Sequence, residues 1–135
     1  MDINTPPKDM QSTGYIIIRV STARGAIPLE DASISIRGGT PENSGIVYSL
    51  KSDRDGLSPK ISLPTPPASL SMAPGGAPPY SLWNVDVFRS GYLPTSYQNV
   101  PVYPSVVSVQ PAVMIPISEN FYARQRYNES EAPAL

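Results

Sequence analysis

Two aspartates form the arrangement in this chain that most resembles a site for chemistry. Asp53, Asp55 and Gly56 follow one another in the order that opens a calcium-binding loop. Such loops need a later acceptor and a bidentate Glu at the twelfth position, where this chain has Pro64. Asp caps local amides and Gly accepts positive φ, so the segment predicts a β-turn and no metal site.

Other catalytic arrangements find less support. Glu30 and Asp31 are adjacent, and neighbours on a strand point to opposite faces, so they predict a solvated edge and not a general acid–base pair. The chain has no His and no Cys, which removes the usual general base and the soft metal ligands. A serine paired with Lys51 or Lys60 stays open as an alternative, without motif support. We therefore predict a non-enzyme with no catalytic residue, cofactor or metal.

The composition limits the classes of partner that the chain could bind. Ten basic and eleven acidic residues give a net charge of −1, which lacks the basic patch that nucleic acid requires. No run of 18 apolar residues is present, so no membrane span is expected. The polar N-terminus has no signal-peptide pattern, so we expect cytoplasmic synthesis.

Short strands separated by turns dominate the pattern. The chain contains 17 prolines, which prevent long helices. Strand-like segments are expected at 14–21, 32–37, 46–50, 57–63, 80–88, 97–103 and 106–117. They predict an all-β fold, an antiparallel Greek-key sandwich of about seven strands. An N-terminal arm (1–13) and a C-terminal tail (118–135) flank the sandwich (14–117), and a Pro-rich loop spans 64–79.

The alternation of side chains predicts the core. Apolar residues at every second position of the first two strands should share one interior: Ile16, Ile18, Val20, Ile34 and Ile36. Trp83 could fill the same core or form part of a contact surface, and the sandwich favours the core.

The order of these segments resembles the carboxypeptidase regulatory-like, or transthyretin-like, β-sandwich family. Residues 28–32 read Pro-Leu-Glu-Asp-Ala and lead into the second strand, residues 52–56 read Ser-Asp-Arg-Asp-Gly, and Gly91-Tyr92 forms a late turn. More narrowly, Asn-Val-Pro-Val-Tyr at 99–103, Gln110 and Met-Ile-Pro at 114–116 are similar to the N-terminal domain of spore cortex-lytic enzyme precursors. The chain ends at Leu135, so the resemblance implies a free-standing module without the lytic region.

The terminal segments carry the functional hypothesis. A sandwich of this size commits its apolar face to its own core, so apolar and cationic side chains in the arms are available to another molecule. We predict a structural subunit, a homo-oligomer or filament. The resemblance implies assembly on a spore or cell surface, by a non-classical route. The alternative is a binding module for a glycan or for a cell-wall (cortex) lytic enzyme. The predicted interface residues are Ile3, Met10, Phe121, Tyr122, Arg124, Arg126, Tyr127 and Leu135.

Overall fold

A computed structural model describes residues 10–68 and 79–117 of the chain. It contains one short 3-10 helix, Ala23–Gly25, and eight strands. The strands are β1 (Ser12–Thr22), β2 (Ile27–Pro28), β3 (Ser33–Gly38), β4 (Val47–Lys51), β5 (Ile61–Thr65), β6 (Ser81–Phe88), β7 (Thr95–Val102) and β8 (Val107–Val113). In this part of the chain no helix is long and apolar enough to cross a membrane. The prediction of an all-β sandwich is confirmed.

The strands form two four-stranded sheets. In the first sheet β1 lies centrally, with β5 and β2 along one side and β8 along the other. The second sheet has the order β4-β3-β6-β7. Every pair is antiparallel except β1 and β8, which run parallel. The connection between β7 and β8 crosses from the second sheet to the first, and this crossing gives β8 the same direction as β1. The sequence pattern predicted antiparallel pairing throughout, so this pair departs from it.

The core lies between the sheets and contains the residues that the alternation predicted. Ile16, Ile18, Val20, Ile34 and Ile36 are all buried in one cluster. Trp83 is also fully buried there, and its indole Nε1–H donates to Ser81 Oγ over 2.7 Å, which satisfies its one polar group. Trp83 therefore belongs to the interior and not to a contact surface.

The strand limits differ from the predicted segments mainly where local pattern is weak. The first strand begins at Ser12, β7 begins at Thr95, and β8 ends at Val113. The predicted strand at 57–63 starts only at Ile61, because Ser58 first hydrogen-bonds to β1 through both its backbone and its side chain. The turn after the 3-10 helix adds the two-residue strand β2, which the sequence did not indicate.

Candidate assembly surface

The outer face of the first sheet carries a row of apolar side chains, although the exposed Arg19 lies beside Pro111 and the exposed Ser62 beside Tyr15. The side chains of β1 alternate, so Ile16 and Ile18 point into the core while Tyr15 and Ile17 point outward. Register places Tyr15 beside Val107 and Ile17 beside Val109. We call the surface formed by Tyr15, Ile17, Val107, Val109, Pro111 and Val113 the apolar face.

The valines of β8 make this face unusual. Val107, Val109 and Val113 are 47%, 51% and 41% exposed, and Ile115 continues the same alternation at 59%. The intervening residues, among them Ala112 and Met114, turn toward the core. A contiguous exposed apolar patch on a sheet is informative, because single exposed apolar side chains are common whereas patches mark contact sites.

The outer face of the second sheet provides the contrast. Arg37 and Asp86, on neighbouring strands, form an ion pair with 2.8 Å between Nη2 and Oδ2. Ser96 donates from Oγ to the other carboxylate oxygen of Asp86 over 2.7 Å. Ser33, Ser35 and Ser49 lie on the same side. This face has the polarity expected for contact with water, and Phe88, at 55% exposure, and Val47, at 57%, are its large apolar exceptions.

The free edge of β8 is not suited to receive another strand along its whole length. Tyr15 N–H donates to the Val106 carbonyl and Met114 N–H donates to the Ser21 carbonyl. The alternation of a parallel ladder therefore directs the backbone groups of Val109 and of Pro111 away from β1. Proline has no N–H, so it interrupts the row of outward donors. A partner that binds at β8 would therefore gain more binding energy from contacts with the side chains of β8 than from hydrogen bonds to its backbone.

The aspartates and lysines that the sequence analysis considered for catalysis or metal binding make structural contacts. Asp53 Oδ1 accepts the N–H of Asp55 over 2.9 Å and that of Leu57 over 3.0 Å. The exposed carboxylate of Asp31 lies 3.3 Å from Lys51 Nζ, and Lys60 Nζ lies 5.0 Å from the centre of the Tyr15 ring. Within residues 10–68 and 79–117, no three His, Cys, Asp or Glu residues are grouped so that they could hold a metal ion.

Of the interface residues predicted from the arms, Met10 lies in the described part of the chain. Met10 is 5% exposed and packs within its own chain, next to the start of β1. The other predicted residues lie outside the described part of the chain: Ile3, Phe121, Tyr122, Arg124, Arg126, Tyr127 and Leu135. Their contact role stays a prediction.

The sequence analysis did not predict the exposed valines of the apolar face, because the alternation in β8 is compatible with valines pointing either inward or outward. Alternation is visible in Val107-Ser108-Val109-Gln110, and the usual interpretation turns valine inward and Ser and Gln outward. The structure does the reverse, with Ser108 beside Ile16 and Gln110 beside Ile18 on the core side. Ala112 and Met114 set this orientation, since both are buried at the far end of the strand.

The comparisons with known proteins bear on the fold. No protein-family model matches the chain, and no curated protein sequence matches it. Among solved structures, the Bacillus anthracis TIE protein superposes with a TM-score of 0.56 at 13% identity, over 78% of this chain and 17% of that one. The fold is that of a β-sandwich domain. A 3-chlorocatechol 1,2-dioxygenase from Rhodococcus opacus gives a TM-score of 0.52 at 13% identity, over 78% of this chain and 61% of that one.

A third solved structure is less similar to this chain. GBS52, a minor pilin of Streptococcus agalactiae, gives a TM-score of 0.47 at 15% identity, over 79% of this chain and 46% of its own. This chain thus spans less than two thirds of the length of each of these proteins. At such identities the likeness establishes the sandwich alone, since one fold carries many functions.

Proposed function

We propose that this protein is a non-catalytic structural subunit that self-assembles, and that the apolar face is its main contact surface. The observation that carries the proposal is the row of half-exposed valines on β8 beside Tyr15 and Ile17 of β1. Covering the remaining exposed half of each valine contributes roughly 1 kcal/mol per side chain. Several such contributions together can offset the entropy that association costs.

The occupant we propose for this face is the C-terminal tail of a second copy. The described chain ends at Ile117, directly after β8, and residues 118–135 follow. Fully extended, these residues span up to roughly 60 Å, which is long enough to reach a neighbouring subunit. The tail contains Phe121, Tyr122 and Tyr127, aromatic side chains that suit an apolar sheet face. Repetition of a head-to-tail contact that does not close produces a filament or a layer.

Light scattering on the purified chain, coupled to size-exclusion chromatography, tests the proposal. We expect species larger than the monomer, and Val109→Lys should reduce them by placing a charge in the contact. Phe88→Lys is the matched control, because Phe88 is 55% exposed on the outer face of the other sheet. A full-length chain that remains monomeric at every concentration contradicts self-assembly. Equal effects of the two substitutions contradict the assignment to this face.

One observation favours glycan binding as a second candidate function. A shallow groove of about 550 Å³ on the outer face of the second sheet is lined by Phe88, Asp86 and several serines. An exposed aromatic ring beside fixed hydrogen-bonding groups suits the apolar and polar faces of a sugar. Calorimetry with a soluble N-acetylglucosamine oligosaccharide should then show binding that Phe88→Ala removes, and no heat of binding would contradict it.

A further inference from the structure

A sandwich of two open sheets has exposed edges, and three of the longer edge strands here carry a proline. Pro64 lies in β5, Pro101 in β7 and Pro111 in β8. Register and the neighbouring backbone hydrogen bonds place each proline where its backbone faces away from the adjacent strand. Each therefore removes a donor that an incoming strand would need, which is how natural sheets protect their edges.

The edge strand β4 has no such protection. It reads Val-Tyr-Ser-Leu-Lys, with no proline. Gly38 N–H donates to the Ile46 carbonyl and Ser52 N–H donates to the Ala32 carbonyl, so the residues between them alternate toward and away from β3. Val47, Ser49 and Lys51 direct their amides outward, and no described residue accepts a hydrogen bond from these amides.

The side chains of β4 do not prevent docking either. Val47 is 57% exposed, so an incoming strand meets an apolar surface at one end of β4. Lysine on an edge strand ordinarily discourages pairing by its charge. Lys51 is the one charged residue of β4, and Asp31 Oδ1 lies 3.3 Å from its Nζ, so an opposite charge already stands beside it.

The same edge borders a groove at the seam between the sheets. The groove has a volume of about 610 Å³ and is lined on one side by Val47 and Tyr48 and on the other by Ser62 and Pro64. Tyr48 Oη–H donates to the Ser62 carbonyl over 3.4 Å, a long hydrogen bond between the two sheets. Met10 and the first residues of β1 line the end of the groove, so the N-terminal arm enters the described structure here.

We infer that the edge of β4 receives residues 1–9 of a second copy as an added strand. The inference rests on the proposed self-assembly and names a second contact for it. Nine extended residues span roughly 30 Å, whereas the five residues of β4 span about 17 Å, so the arm is long enough. Residues 2–5, Asp-Ile-Asn-Thr, precede Pro6 and retain every backbone donor needed for pairing.

The position of the arm's root determines the symmetry of this contact. Each copy presents the donor arm and the acceptor edge at one groove, so two copies can exchange their arms reciprocally around a twofold axis. Reciprocal exchange closes into a dimer, whereas the head-to-tail contact at the apolar face does not close. The two contacts together would join filaments through dimer contacts, whereas the arm exchange alone would give a dimer and the apolar-face contact alone would give a single filament.

Disulfide trapping tests the inference directly, because the chain contains no cysteine of its own. Ile3→Cys in one batch is mixed with Ser49→Cys in another batch that carries a mass tag, and the neighbouring arm positions are scanned in the same way. We expect a disulfide between one tagged and one untagged chain. Ser96→Cys, on the far edge strand of the same sheet, is the matched control and should give none.

The other trapping results overturn the inference. A disulfide that forms only when both substitutions are in one chain shows that the arm covers its own β4. The absence of any disulfide across the scan, in a chain that still assembles, shows that the arm docks elsewhere. A chain that is monomeric throughout contradicts the proposed function itself, so the two failures are distinguishable.

A backbone substitution supplies the independent readout. Val47→Pro removes an outward donor and leaves the β3–β4 ladder intact, so we expect the dissociation constant of the dimer to rise roughly tenfold or more. Val47→Thr is the control, because it keeps the donor and the branched shape. Deletion of residues 1–9, which removes no described residue, should have the same effect as Val47→Pro. Unchanged dimerisation in both variants would overturn the inference.

Discussion

Ile17 and Val109 lie side by side on the parallel strands β1 and β8, and both point away from the core. Ile16 and Ile18, the neighbours of Ile17, are fully buried. Over residues 15–18 strand β1 is therefore apolar on both faces, a pattern typical of a strand that is covered on both sides, whereas Arg19 follows on the outer face. One of its faces is covered by the second sheet, and the other is the face on which we propose that a second copy docks.

The inner face of β3 gives a prediction about the core. Ile34→Ala should lower the free energy of unfolding by about 2–5 kcal/mol, because the buried side chain leaves a cavity between the sheets. Chemical denaturation followed by fluorescence of the buried Trp83 measures the change. Ser35→Ala, one residue along the same strand and partly exposed, is the control and should change stability by less than about 0.5 kcal/mol. Equal losses would contradict the assigned faces of β3.

Gly56 gives a prediction about turn geometry. Its φ is +79°, and a Cβ on this residue would collide with the carbonyl oxygen of Val20, which accepts a hydrogen bond from Leu29 N–H. Gly56→Ala should therefore cost more than the ~1 kcal/mol typical of positive φ alone. Gly91→Ala is the matched control, because its φ is +90° and nothing lies within 4 Å of a Cβ there. Melting temperatures of both variants decide the matter, and a stable Gly56→Ala would contradict the close approach.

Asp53 gives a prediction about calcium. Its Oδ1 accepts two backbone N–H groups, so Asp53→Ala should cost about 1–2 kcal/mol of stability. Asp55→Ala should cost less, since no hydrogen bond of the Asp55 side chain is found among the described residues. Calcium should leave the melting temperature of the unaltered chain unchanged. A rise of several degrees with calcium, lost in Asp55→Ala, would show a metal loop in place of a plain turn.

The sequence was sufficient where a local rule determines the outcome. Ile34 and Ile36 alternate with polar neighbours, so their strand and its inner face followed from period two alone. The turn at Asp53 followed from side-chain capping. The parallel pairing of β1 with β8 did not follow, because it depends on a crossing between sheets that no local pattern encodes.

The candidate surface was harder to predict from the sequence than the fold. Val107 and Val109 look like core residues in any local window, and only the burial of Ala112 and Met114 fixes them outward. The unprotected edge of β4 is likewise a property of the assembled sheets. It becomes apparent only after the prolines of the other edges are placed, since a strand's sequence does not say which of its sides is free.

The terminal segments give the last prediction. Deletion of residues 118–135 should abolish the species larger than the dimer, because it removes the aromatic side chains that we place on the apolar face of a neighbour. Deletion at the other end should stop at residue 9, since Met10 is buried and its removal would damage the domain itself. That second truncation should remove the dimer contact and leave single filaments joined through the apolar face alone. Mass photometry of the two proteins and of the full chain compares all three directly.

If the chain without 118–135 instead aggregates while the full chain is monomeric, the tail covers its own face and the subunit does not assemble. If both truncated proteins keep the oligomeric state of the full chain, neither segment contributes to the contacts, and the sandwich alone must form them.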